Sequence, residues 1–211
     1  PSTRDTWVET DLSSVIPAGA SAAIFMVGDP DWYSPAFGAR AAGNTSYTRT
    51  NWIYTGPHGV ITPLSANRKV DIYVASGTSN FEIHLVGYIL SGSGWSFNST
   101  PTDVSLSTTG SYQDLAALPT GSEAAIYELV CAGATSQDQF IRRAGSTADY
   151  YRRLCYRGYW IVPCDESYQC EQKIGSTEVD TYVWAYYIPP VPVIEPTGIS
   201  SGEACGSPTI I

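Results

Sequence analysis

The chain repeats itself at long range. Residues 11–27, DLSSVIPAGASAAIFMV, return as residues 114–129, DLAALPTGSEAAIYEL. Asp11-Leu12 matches Asp114-Leu115, Pro17 matches Pro119, Gly19 matches Gly121, and Ala22-Ala23-Ile24-Phe25 matches Ala124-Ala125-Ile126-Tyr127. Downstream, Phe37-Gly38-Ala39-Arg40-Ala41 aligns with Phe140-Ile141-Arg142-Arg143-Ala144, and Gly43-Asn44-Thr45 with Gly145-Ser146-Thr147. Each copy closes alike, GTSNFEIHLVGYI (77–89) against GSTEVDTYVWAYY (175–187). A period of about 100 residues far exceeds that of solenoid repeats, so each copy is large enough to bury its own core. This predicts a first unit over residues 1–90, a Ser/Gly/Thr-rich linker over 91–110, a second unit over 111–188 and an extended proline-rich arm over 189–211. Trp95 and Phe97 give the linker something to bury, so it is expected to pack against a unit.

Strand signals fill both copies. Segments 22–27, 70–75 and 81–89 are short, rich in β-branched and aromatic residues, and bounded by Gly, Pro, Ser or Asn. Alternation sets Val70, Ile72 and Val74 against Asp71 and Tyr73, and Phe81, Ile83 and Leu85 against Glu82 and His84. The second copy sets Val179, Thr181 and Val183 against Asp180, Tyr182 and Trp184. No window supports an amphipathic helix beyond about two turns. PAGA and PTGS are turns, with proline presetting φ and glycine supplying φ > 0. The expected fold is all-β: two tandem antiparallel β-sandwich domains, jelly-roll-like, plus an extended C-terminal arm.

A net charge of −9 argues against broad phosphate-backbone binding, so no nucleic-acid partner is expected. No run of 18 apolar residues occurs, and no membrane partner is expected. Charged residues make up only 15% of the chain, against about a quarter in ordinary domains, a surface suited to meeting proteins or sugars.

Five basic residues nevertheless crowd into 16 positions: Arg142, Arg143, Arg152, Arg153 and Arg157, interleaved with Tyr150, Tyr151, Tyr156, Tyr159 and Trp160. Arginine among aromatics suits an anionic or protein partner, including the acidic face of a second copy; pairing with acidic loops of the same chain is the alternative. The arm carries Val191, Val193, Ile194, Ile210 and Ile211, apolar residues suited to lying on its own domain or a neighbouring subunit. These arginines and arm residues are the candidate partner-binding set.

Catalytic motifs are missing. There is no GxSxG, HExxH, phosphate loop or GxGxxG, and only two histidines, His58 and His84, to serve a triad. No enzymatic activity and no cofactor are expected. The five cysteines, Cys131, Cys155, Cys164, Cys170 and Cys205, contain no CxxC pair and lie far from both histidines, which disfavours zinc. Cys164 and Cys170 are spaced to staple a hairpin by a disulfide, and Cys205 is a candidate for a long-range or intermolecular bridge; five reduced, buried thiols are the alternative. Asp29 and Asp31 around Pro30 could share a calcium ion, and Asp165-Glu166 is a weaker candidate, although solvated turns explain both. Trp32 and Tyr33 beside those aspartates are candidate glycan-binding residues.

The order W-x-E-x-D-L-S (Trp7, Glu9, Asp11-Leu12-Ser13), then Pro17-Ala18-Gly19-Ala20, Phe37-Gly38-Ala39-Arg40, Gly43-Asn44-Thr45 and Leu85-Val86-Gly87-Tyr88 resembles a module of bacteriophage virion structural proteins. The resemblance covers residues 7–89 best; the second copy departs from it at Phe140–Arg143 and Val183–Tyr186. It implies small β-sandwiches on the particle exterior, as in head decoration, fibre or tail-associated proteins, and carries no catalytic residue. The expected function is therefore a non-enzymatic structural protein that binds, stabilises or decorates the capsid or another virion assembly. Its expected partners are other copies of itself and virion proteins such as the capsid protein. The alternative is an extracellular carbohydrate-binding adhesive module recognising a host-surface glycan, or a secreted filament subunit cross-linked through Cys205.

Overall fold

A computed structural model of the chain describes residues 5–28, 36–48, 51–52, 58–76, 81–131, 137–147, 152–154 and 157–190. The first half holds β1 (Trp7–Asp11), β2 (Ala20–Gly28), β3 (Ala36–Ala41), β4 (Asn51–Trp52), β5 (His58–Pro63), β6 (Lys69–Val74) and β7 (Glu82–Leu90). The second holds β8 (Trp95–Asp103), β9 (Gln113–Asp114), β10 (Ala124–Cys131), β11 (Gln137–Arg143), β12 (Arg152–Leu154), β13 (Arg157–Pro163), β14 (Cys170–Ile174) and β15 (Val179–Tyr187). The all-β, antiparallel class expected from the period-2 segments is the class the chain adopts.

Four sheets form, ordered β1-β6-β3-β4, β5-β2-β7, β12-β11-β14-β9 and β13-β10-β15-β8. Matching β1–β7 to β9–β15 reproduces the order of the first two sheets in the other two, with β8 added beside β15. That strand lies in the 91–110 stretch read as a linker. It pairs with β15 through Phe97↔Ala185 and Trp95↔Tyr187, because its two aromatics have an apolar sheet face to cover.

Inward side chains from paired sheets make the cores. Ala23, Phe25, Val27 and Val60 from one sheet meet Phe37, Ala39, Val70, Ile72 and Val74 from the other. In the second half, Ala125, Tyr127, Leu129, Val162 and Val183 meet Cys170 and Ile141. Burying such side chains yields about 1.5–3 kcal/mol each before chain entropy is charged against it. The turns recur too. Gly19 and Gly121 take φ of +85° and +90°, which a Cβ would disfavour.

Register corrects the sequence alignment at one place. Arg40 pairs with Asp71 and Arg142 with Glu171, so Arg40 corresponds to Arg142 rather than Arg143. One residue of slip in a strand exchanges its two faces. Phe37 therefore corresponds to Gln139, not to Phe140.

Two burial expectations also change. Asp71 was set on the solvent side of β6 but is 8% exposed, because it pairs with Arg40 at 3.2 Å. In β15, Tyr182 and Trp184 were set outward, yet they are 5% and 0% exposed. The outer face of that sheet is covered by the first half of the chain.

Candidate assembly interface

The covering contact is built from one loop and two sheet faces. Arg40 lies over the Trp7 ring at 4.1 Å, binds Asp71, and donates from Nη1 to the Tyr47 carbonyl at 2.7 Å. Asp71 also accepts from the Gly43 amide. These bonds fix the loop after β3 so that Tyr47 reaches out of its own unit. There the Tyr47 ring meets Trp184 edge-on at 5.0 Å and Tyr182 at 6.2 Å. Tyr47, Ile126, Trp184 and Ala185 form a buried cluster, flanked by Ile61, Ile89, Trp95, Phe97 and Tyr159. Asn44 adds bonds from its amide to the Ser99 carbonyl and Thr100 Oγ1.

A carboxylate sits in the middle of this apolar contact. Glu128 is fully buried. Its Oε2 accepts from the Tyr47 hydroxyl at 2.7 Å and the Trp184 indole N–H at 2.6 Å, and its Oε1 accepts from the Tyr159 hydroxyl at 3.0 Å. A buried charge is tolerable only when its lone pairs are used, and these three donors use them. One donor comes from the first half and two from the second, so the network cross-links the halves.

The arginine cluster divides between two sheets. Arg142, Arg143, Arg152 and Arg153 lie on the β12-β11-β14-β9 sheet, and Arg157 begins β13 in the other. Arg142 is engaged inside the chain. It binds Glu171 at 2.5 Å and stacks over Tyr112 at 3.5 Å, repeating the Arg40–Asp71–Trp7 arrangement. Arg143 is exposed. The side chains of Arg152, Arg153 and Arg157 fall outside the description, as do Trp32, Tyr33, Asp29, Asp31, Cys155, Cys205 and the arm residues Val191, Val193, Ile194, Ile210 and Ile211.

The expected Cys164–Cys170 disulfide is corrected: both are free thiols, as is buried Cys131. Their sulfurs are 3.8 Å apart, far beyond the roughly 2 Å of a bond. The repeat explains the arrangement. Arg68 and Tyr168 both adopt φ near +60° in matching turns, which places Cys164 and Cys170 where Leu64 and Val70 stand in the first half. The thiols fill an apolar contact. Cys170 donates to Cys164, which holds the Cys164 thiol below its ordinary value and, together with burial, pushes Cys170 up. Asp165 spends its Oδ1 on the Ser167 and Gln169 amides, a turn-forming role rather than a cation site. Among the described residues, no group of three or more His, Cys, Asp or Glu is placed to hold a metal ion.

Exposed apolar side chains complete the picture. Among the described residues Val15, Met26, Val86, Tyr88, Leu90 and Ile161 are the large exposed hydrophobics, and three of them lie on β7. Among the described strands β7 pairs only with β2, so its outer edge is open, whereas the matching edge of β15 is covered by β8. Sequence reasoning did not find Tyr47, Glu128 or Trp184. The signal lay in the repeat, where Met26 and Val86 give way to Glu128 and Trp184.

No protein-family model matches this chain, and no curated protein does. Among solved structures, the N-terminal CBM22-1-CBM22-2 tandem domain of Xyn10C from Paenibacillus barcinonensis is similar at 11% identity, covering 86% of this chain and 83% of that one, with a TM-score of 0.19. A likeness that slight leaves function to be argued from the residues.

Proposed function

We propose that this chain is a non-enzymatic structural protein of a bacteriophage-type particle, sited on its exterior, whose work is to bind other copies of itself or the capsid protein. One observation carries the reading: β7 is a nine-residue edge strand with Val86, Tyr88 and Leu90 exposed at 56%, 44% and 46%. An open edge offers unpaired N–H and C=O groups, and folded proteins ordinarily blunt such edges with charge, proline or a covering strand. Among the described residues, β7 has no such protection apart from Glu82 and His84 at its start. A surface of this kind is suited to docking another protein. The virion setting rests on the motif resemblance of residues 7–89.

The test is location. Antibody against this chain should decorate the outside of intact purified particles, and the chain should be released with other exterior proteins. Unlabelled particles together with binding on a glycan array would replace this reading with the adhesive one.

A further inference from the structure

The interface inside the chain uses unequal halves of two equivalent sheet faces. Registers fix the equivalence, because Ala22 opposes Pro63 and Ile89 while Ala124 opposes Pro163 and Tyr187. Both central pairings carry a bulge at the same place, between Ile24/Phe25 and Ile126/Tyr127. Ile24, Met26, His84, Val86 and Gly87 therefore correspond to Ile126, Glu128, Tyr182, Trp184 and Ala185, and Ile61 corresponds to Ile161.

From its sheet face the second half contributes Ile126, Glu128, Tyr159, Tyr182, Trp184 and Ala185 to the contact, whereas the first contributes Ile61 and Ile89 from its sheet and Tyr47 from its loop. Several positions that one half leaves open are counterparts of positions the other uses, although Tyr187, the counterpart of Ile89, is packed against Trp95. In the first half Met26 and Val86 are 36% and 56% exposed, and their counterparts Glu128 and Trp184 are 0% exposed. In the second half Ile161 is 62% exposed, while its counterpart Ile61 packs in the interface cluster. Met26, Val86 and Ile161, three of the large exposed hydrophobics among the described residues, are thus unused copies of interface positions.

We infer that the occupant of both open surfaces is a second copy of this chain, added head to tail: the Ile161 surface of one copy seats on the Met26–Val86 surface of the next. This deepens the structural reading above and rests on it. The contact continues the interface already present between the halves. Such a heterologous contact leaves one surface free at each end and grows into a ring or filament. The counterpart of Tyr182 is His84, so that aromatic of the internal contact is replaced by an imidazole between copies. The Glu128 network does not recur, since Met26, Val86 and Gly59 stand for Glu128, Trp184 and Tyr159. Lacking that network and the covalent link, association between copies is weaker than the internal contact and depends on concentration.

Sedimentation velocity in reducing buffer, with the full chain and its Val86→Asp and Ile161→Asp variants, tests this. Both substitutions are at exposed sites, and circular dichroism checks that each variant is folded. Wild type should grow into larger species as concentration rises. Each variant alone should be monomeric, its self-association weakened about tenfold or more by a charge in an apolar contact. Mixed, the two variants should form a dimer and stop, because each retains one intact surface. If Ile161→Asp assembles like wild type while Val86→Asp does not, the contact is symmetric edge pairing of β7 and the inference fails. If wild type is monomeric at every concentration, the inference fails too. Labelling of particles by such a monomer would leave the structural reading standing, whereas absence of labelling would remove both.

Discussion

Tyr47 reaches across the chain to a buried charge, so removing its hydroxyl should uncouple the two halves. Tyr47→Phe keeps the ring contacts with Trp184 and Tyr182 and deletes only the 2.7 Å bond to Glu128. A hydrogen bond to a charged group is worth about 1.5–3 kcal/mol. Tyr47 is 4% exposed, so water does not easily replace the lost donor. The expected cost is about 2 kcal/mol, or roughly 4–8 °C in Tm for a chain of this size. Glu128→Gln keeps the shape and removes the charge, so the remaining Tyr47 bond becomes an ordinary neutral one. In a double-mutant cycle by urea denaturation the pair should show a coupling of about 1 kcal/mol. Single effects that add within about 0.5 kcal/mol, or a Tyr47→Phe cost below that, would refute the cross-link.

Other positions give independent checks. Gln139 is 2% exposed with both amide atoms unpartnered, where the first half has Phe37, so Gln139→Leu should raise urea stability by about 1–2 kcal/mol. A Cβ at Gly94 would meet the Tyr187 ring at 2.5 Å and the Ile188 carbonyl at 2.7 Å, with φ at +91°, so Gly94→Ala should cost more than about 2 kcal/mol in the same assay. Replacing Cys164 by Leu and Cys170 by Val together restores the first-half pattern and should change stability by less than about 1.5 kcal/mol, while thiol titration of the unfolded wild type should count both sulfurs without added reductant. Hydrogen bonds from Ser13, side chain and backbone, hold the Asp11 carboxyl below its ordinary value. A depressed folded pKa stabilises above the unfolded value and loses that contribution as pH falls through the folded one. The advantage of wild type over Asp11→Asn should therefore shrink below about pH 4 and not on the alkaline side.

The fold class was legible because strand alternation and turn glycines act locally. Val70, Ile72 and Val74 could be assigned inward from their spacing alone, and Gly19 and Gly121 announced matching turns. Trp184 and Tyr182 were misplaced because what covers them is Tyr47, more than 130 residues earlier, and no local pattern encodes a sheet face covered from that distance. The 91–110 stretch was expected to pack against a unit, but its strand β8 is defined by pairing with β15, which no local pattern encodes. The arginine cluster drew attention by density, yet Arg142 is occupied by Glu171 and Tyr112, a device already present at Arg40. Aligning the repeat by register rather than by letters reveals that device, and it also exposes the Met26/Glu128 and Val86/Trp184 exchanges on which the interface turns.

The central claim is that this chain works through its open sheet face. Hydrogen–deuterium exchange resolved by peptide, comparing dilute protein with the assembled particle, tests it most directly. Segments 82–90 and 158–163 should exchange quickly when dilute and become protected on assembly, with the core strands β2 and β10 slow in both. Unchanged exchange at 82–90 in the particle, or protection confined to the segment around Trp32 and Tyr33 on adding a glycan, would contradict it.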